Sequence, residues 1–276
     1  MLLLRVINLA PLWFIVAAVL VSMELYSVGL MLFSRQRWGV DRLKLNNEVA
    51  GFKFSVIGVL YAVLLAFVVI AVWENYNKTE LTVRNEAKAI GDLMQLSHAL
   101  PEPEGSLIRN SLIDYTNHVR DSEWATMARG LPSKPTGDAL AHLVEAILDI
   151  PTNQFKDLAL FQQALKLLAE IEDNRNERLE SADGSVPAML WFVLIAGALI
   201  TLGYPAFFAT SSLIAQTLMT GALAALVALA LIPALFLDFP FTSEVAISPD
   251  PFGVALNRIP PHLKGQELFI APQSRP

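Results

Sequence analysis

"GFKFSVIGVLYAVLLAFVVIAVW", residues 51–73, runs without a break into "ENYNKTELTVRNEAKAIGDLMQLSHAL", residues 74–100. The first piece has the length and apolarity to cross a hydrocarbon layer about 30 Å thick, which takes about 20 residues of helix. The second is polar, yet Leu81, Ala87, Ile90, Met94 and Leu100 recur near helical spacing. Together they predict one helix from Phe52 to Leu100, roughly 70 Å long at the α-helical rise. "PEPEG" at 101–105 ends it, because proline cannot continue a helix and glycine relaxes one.

Outward from this helix lie three more apolar runs, Leu12–Phe33, Pro187–Gly203 and Leu213–Leu237. The run Pro187–Gly203 is short, and Tyr204, Phe207 and Phe208 extend it where aromatic rings favour the membrane interface. The chain therefore reads as an all-α integral membrane protein with four transmembrane helices in two pairs. Residues 1–73 hold the first pair (12–33 and 52–73), and 187–237 hold the second (187–203 and 213–237). Between them, 74–186 form a soluble helical domain that continues the second helix, and 238–276 form an extended, proline-rich tail. The first run is too long for a signal peptide, and "RQRWGVDRLK" follows it where a small-residue cleavage site belongs.

Within 74–186 a helix presents Leu107, Leu112, Tyr115 and Val119 inward, with Glu123 and Trp124 near its end. A short one covers Ala139–Asp149. Another runs from Thr152, an N-cap residue type, to Glu180, with Leu158, Phe161, Leu165, Leu168 and Ile171 as its stripe. The segment carries 19 acidic and 11 basic side chains. That surplus excludes nucleic acid as a partner on electrostatic grounds and reads as a solvated helical surface.

Catalysis finds no footing. There are no cysteines, so disulfides and thiolate chemistry are absent. The histidines 98, 118, 142 and 262 lack ligand spacing, and no glycine-rich phosphate loop or GxSxG elbow occurs. The expectation is no enzyme, no cofactor and no metal.

Two features carry functional candidates. Glu24 stands near the middle of the first apolar run, and a carboxylate at that depth is costly against lipid. It is expected to face the bundle interior or a wet cavity. As a helix lock it would bond to Ser27, Ser55, Thr201 or Gln216; otherwise it faces water or ions. In the second helix, Gly51, Ser55, Gly58, Ala62 and Ala66 share one face, and small residues let membrane helices approach closely. Phe54, Tyr61, Leu65 and Val68 adjoin them. This face is either a seam within one subunit or the wall of a conduit among several copies, with the larger side chains forming a constriction that gates by dewetting. Gln216, Thr217 and Thr220 read as glue between helices.

Five stretches resemble the bestrophin-like domain family of bacteria: "GVLYAVLLAFVVIAVWE" (58–74), "RNEAKAI" (84–90), "DYTNHVRDSEW" (114–124), "NERLESADGSVPAMLWFVLIAGALIT" (176–201) and "LDFPFTSEVAISPDPF" (237–252). They span most of the chain beyond residue 46. The resemblance implies a multi-pass protein of the bacterial inner membrane. By its distant likeness to bestrophins, it also implies a cyclic homo-oligomer, a pentamer in bestrophins, conducting inorganic ions and anions in particular. The second helix then lines the pore, with Phe54, Ser55, Gly58, Tyr61, Ala62, Leu65, Ala66 and Val68 as candidate wall residues. No acidic clasp matches the bestrophin calcium site. Arg35, Arg37, Arg42 and Lys44 place the loop 34–52 in the cytoplasm by the positive-inside rule, whereas the resemblance places the helical domain there. The rival readings are a non-conducting scaffold that recruits partners and, less favoured without inverted repeats, a proton-coupled transporter using Glu24.

Overall fold

The computed structural model describes residues 11–151, 155–242 and 245–256. The Thr152 cap, Arg5 and the tail beyond 256 lie outside these residues. The described chain is helical throughout, without a strand among the described residues. Its helices are α1 (Leu12–Trp38), α2 (Val40–Lys44), α3 (Asn47–Ser97), α4 (Glu104–His118), α5 (Trp124–Met127), α6 (Lys134–Leu148), α7 (Phe155–Glu180), α8 (Ala188–Gly203), α9 (Leu213–Leu237) and α10 (Asp250–Leu256). Four helices are long and apolar enough to cross a membrane: α1, α3, the segment Leu158–Phe207 that contains α8, and α9.

The expected long helix is present. α3 is 51 residues without interruption, about 75 Å at 1.5 Å per residue. It ends three residues earlier than the hydrophobic spacing indicates, ahead of the prolines at 101 and 103. The backbone then folds back so closely that a Cβ on Gly105 would lie 2.5 Å from the Ser97 carbonyl oxygen. Only glycine fits there. α9 spans the expected 213–237, capped by the Ser212 hydroxyl, which accepts from the Ala215 amide.

The chain divides into two compact units. Of the described residues, one comprises 11–77, 184–242 and 245–246, and the other 78–151, 155–183 and 247–256. The first unit is the membrane unit. Its core joins Tyr61, Leu65, Val68 and Val72 of α3 to Leu194, Ala198 and Leu202 of α8 and Ala224, Val227 and Leu231 of α9. α1 is tied to the end of α8 and the α8–α9 turn by side-chain-to-backbone bonds: Ser27 donates to Leu202 O (2.7 Å), Ser34 to Ala206 O, and Arg35 to Thr210 O (2.8 Å). Such bonds are favoured where hydrocarbon offers no alternative partner. The other end is closed by Asp238 at the foot of α9. Its carboxylate accepts from the Ser185 amide and hydroxyl, the Val186 amide and the Trp191 indole at 2.8–3.1 Å.

In the helical unit the inward face of α4 is Ile108, Leu112 and Tyr115, continued by Val119 just past its end, all fully buried. Leu107, expected inward, is half exposed because the true stripe starts one residue later. α6 begins five residues before the expected Ala139, since Ser133 caps it by accepting from the Thr136 amide and Pro135 suits its first turn. The tail is not wholly extended. α10 forms from Asp250, and its Phe252 is fully buried against the Trp124 ring, centroids 5.7 Å apart.

Candidate functional site

α3 shows the membrane unit three kinds of surface. Tyr61, Leu65, Val68 and Val72 are buried against α8 and α9. Opposite them, Phe52, Val56, Val59, Leu60, Val63, Phe67 and Ile70 are exposed. Between these two faces run the small residues, with Ser55, Ala62 and Ala66 exposed and Gly58 partly so. They line a groove of about 720 Å³ whose far wall is Leu223, Leu226, Ala230 and Pro233 of α9.

The candidate wall residues separate in part. Ser55, Gly58, Ala62 and Ala66 are on the groove. Tyr61, Leu65 and Val68 belong to the protomer's own core, with Phe54, Tyr61 and Leu65 also bordering the groove. Phe54 is half-buried in an aromatic cluster, stacked on Tyr204 and edge-on to Phe208, each centroid 5.8 Å away. The Tyr61 ring lies against Gly197 of α8, where a Cβ would come within 2.7 Å of it.

Glu24 is not turned into the protomer interior. It is exposed, on a groove of about 640 Å³ between α1 and α9, beside Leu25, Gly29, Thr217 and Gly221. None of the expected locking partners reaches it. Ser27 bonds to Leu202, Ser55 donates back to Gly51 O (3.0 Å), and Gln216 accepts from Arg35 Nη1 (2.6 Å). Glu24 stands one turn before Ser27 at the edge of the face that buries Ser27, Met31 and Ser34, and there α1 borders the groove. Gln216 itself works as glue between α1 and the α8–α9 turn, as expected.

The helical unit holds a charged centre that composition alone could not reveal. Arg178 of α7, fully buried, donates from Nε to Glu86 Oε2 (2.6 Å) and from Nη2 to Glu86 Oε1 (3.0 Å) and Glu123 Oε2 (2.8 Å). Arg175 makes a two-pronged pair with Glu123 (2.6 and 3.2 Å), and the Tyr115 hydroxyl donates to Glu86 (2.7 Å). Trp124 and Phe252 face the Arg178 guanidinium at 5.3 and 5.7 Å. Burial pushes the Glu123 carboxyl up, but the two arginines outweigh it and hold it below the ordinary carboxylate value. Burial, then the negative charge of Glu86, drives the Tyr115 phenol well above its ordinary value. Burial works against the Arg178 charge too, yet Glu86 and Glu123 keep it raised. The centre clamps α3, α4, α5, α7 and α10 together. The described residues contain no metal-ligating cluster.

The model of the bestrophin-like domain family matches residues 21–252. The chain belongs to the bestrophin-like family. A crystal structure of a bacterial bestrophin homolog from Klebsiella pneumoniae superposes with a TM-score of 0.66 at 15% identity, covering 86% of this chain and 96% of that one. A leucine-to-threonine variant of that homolog gives 0.67 at 15%, covering 87% and 97%. A crystal structure described as a membrane protein, in a proline-to-alanine variant, gives 0.67 at 14%, covering 87% and 96%. No curated protein sequence matches the chain. The bestrophin-like stretches quoted from the sequence include Glu86, Tyr115, Glu123, Arg178 and Asp238 of the two polar locks, while Arg175 lies one position before the fourth stretch.

Proposed function

We propose that this bestrophin-like protein is an oligomeric ion channel whose conduit is walled by α3 from each copy, conducting anions by analogy with bestrophins. The observation that carries the proposal is the exposed face of α3. It is continuous through the membrane span and lies opposite the helix's own core contacts. In a ring of copies, that face turns toward the axis, and Val56, Val59, Val63 and Phe67 form a hydrophobic constriction of the kind that gates by dewetting. Ser55, Gly58, Ala62 and Ala66 lie on its flank, where small side chains permit a neighbouring helix to approach. Tyr61, Leu65 and Val68 back this wall from within the protomer.

Glu24 supports assembly. A carboxylate exposed at membrane depth is costly against lipid, and burial between copies removes that contact. The carboxylates of the helical unit favour cations in any vestibule they surround, so selectivity is the informative measurement. Purified protein, shown to be a folded oligomer, is expected to conduct in planar bilayers. Val63→Ala should raise unitary current by widening the constriction, and the reversal potential in a salt gradient reports the sign of the carried ion. A silent bilayer with intact oligomer refutes conduction and favours the scaffold reading.

A further inference from the structure

Tyr61 lies nine residues into the span that begins at Phe52, about 14 Å deep at helical rise and so near the middle of the hydrocarbon layer. Its side chain is 6% exposed, and its hydroxyl has no hydrogen-bond partner among the described residues. Thr201, one turn along α8 from Gly197, is 2% exposed and its hydroxyl is equally unmet. Buried polar groups without partners are uncommon, and in hydrocarbon no solvent stands in. The position is held by shape alone, because the ring rests where residue 197 has no Cβ.

The same side chain has somewhere else to go. In a helix the common χ1 wells point a long side chain back toward residues three and four positions earlier. For Tyr61 these are Gly58 and Ile57. A Cβ on Gly58 would meet nothing within 4 Å, and Gly58 opens onto the groove of about 720 Å³ that Tyr61 also lines.

We propose that Tyr61 is a two-position switch, its ring exchanging between the Gly197 cradle and the groove over Gly58. In the first position it completes the α3–α8–α9 core and leaves its hydroxyl unmet. In the second it fills the groove beside Ala62 and frees the hydroxyl to meet a polar group. Moving the ring onto the flank of the conduit wall couples it to conduction. That consequence rests on the proposed channel, whereas the switch does not.

The test uses the full-length protein in lipid nanodiscs, with 3-fluorotyrosine at position 61 only and fluorine NMR as readout. Gly197→Ala fills the cradle and expels the ring; Gly58→Val fills the groove and retains it. The expected result is that the two substitutions move the fluorine signal in opposite directions from the parent. Gly58 sits on an open surface, so Gly58→Val decides alone if Gly197→Ala fails to fold. An unchanged spectrum in Gly58→Val overturns the switch, and leaves conduction to be judged by the bilayer measurement.

Discussion

Arg178→Met tests whether the helical unit is held by its charged centre or merely contains it. The substitution removes three hydrogen bonds to buried carboxylates, at 2.6, 3.0 and 2.8 Å. At about 1.5–3 kcal/mol each, simple addition gives a loss of about 5–9 kcal/mol. The geometry argues for less. Glu123 keeps both bonds from Arg175, while Glu86 keeps only the Tyr115 hydroxyl. One buried carboxylate is therefore stranded, and stranding a single charge costs about 3–5 kcal/mol. Methionine fills most of the space beside Trp124 and Phe252, so a cavity adds little.

Hydrogen exchange of amides in α4 and α7 reads the loss locally, without unfolding the membrane helices. Exchange in the protected amides of both should accelerate by about 10²-fold to 4 × 10³-fold, tenfold per 1.4 kcal/mol. Adding Glu86→Gln to Arg178→Met removes the stranded charge while keeping an acceptor for Tyr115. The double variant should be more stable than Arg178→Met alone by about 2 kcal/mol, well inside the range measured for coupled neighbours. Arg178→Lys keeps the charge but loses the fork, and should fall between. A loss under about 1 kcal/mol, or strictly additive single and double variants, would refute the clamp.

The remaining predictions follow from the same two locks. Glu123 has a lowered carboxyl value against an ordinary 4.5, so its contribution to folding is present above 4.5 and is lost as pH falls through the lower folded value. Urea midpoints of the helical unit should be flat from pH 7 to 5 and drop below 4.5, and Glu123→Gln should lower the neutral-pH midpoint and flatten that drop. Tyr115 acts at the other end: its folded value is raised, so its contribution holds below 10.0 and erodes as pH climbs beyond it, a slope that Tyr115→Phe should abolish. Asp238→Ala strands four donors at the start of α8 and should cost on the order of 3 kcal/mol in the membrane unit, read as lost thermal stability in detergent. Asp238→Asn should lose less, because three of the four bonds use the oxygen that asparagine retains.

What the sequence disclosed and what it hid divide along one physical line. Length and apolarity are properties of a segment, so the four membrane helices, the continuation of α3 past the bilayer and its stop before 101–105 are readable one segment at a time. The face a helix buries is a property of its neighbours. The small-residue stripe of α3 is real, but it lies at the edge of the buried surface, because the helix's close approach is made by Tyr61 on Gly197, 136 positions away. Nothing near Tyr61 announces that pairing; the local hint on α8 is the small trio Ala196, Gly197 and Ala198 between larger side chains. Glu24 is legible as unusual and illegible in direction, since Ser27 one turn later is buried against α8, and only the packed helices show that the edge of the groove falls between them. The charged centre was hidden most deeply. Glu86 and Glu123 belong to a segment whose acidic surplus implies a wet surface, yet their partner Arg178 lies 92 and 55 positions away. A charge count averages over a surface, and such an average cannot reveal two carboxylates withdrawn from it. Burying them is tolerable only because two arginines and a tyrosine meet every one of their oxygens, a condition set by the arrangement of five helices and visible only after they have packed.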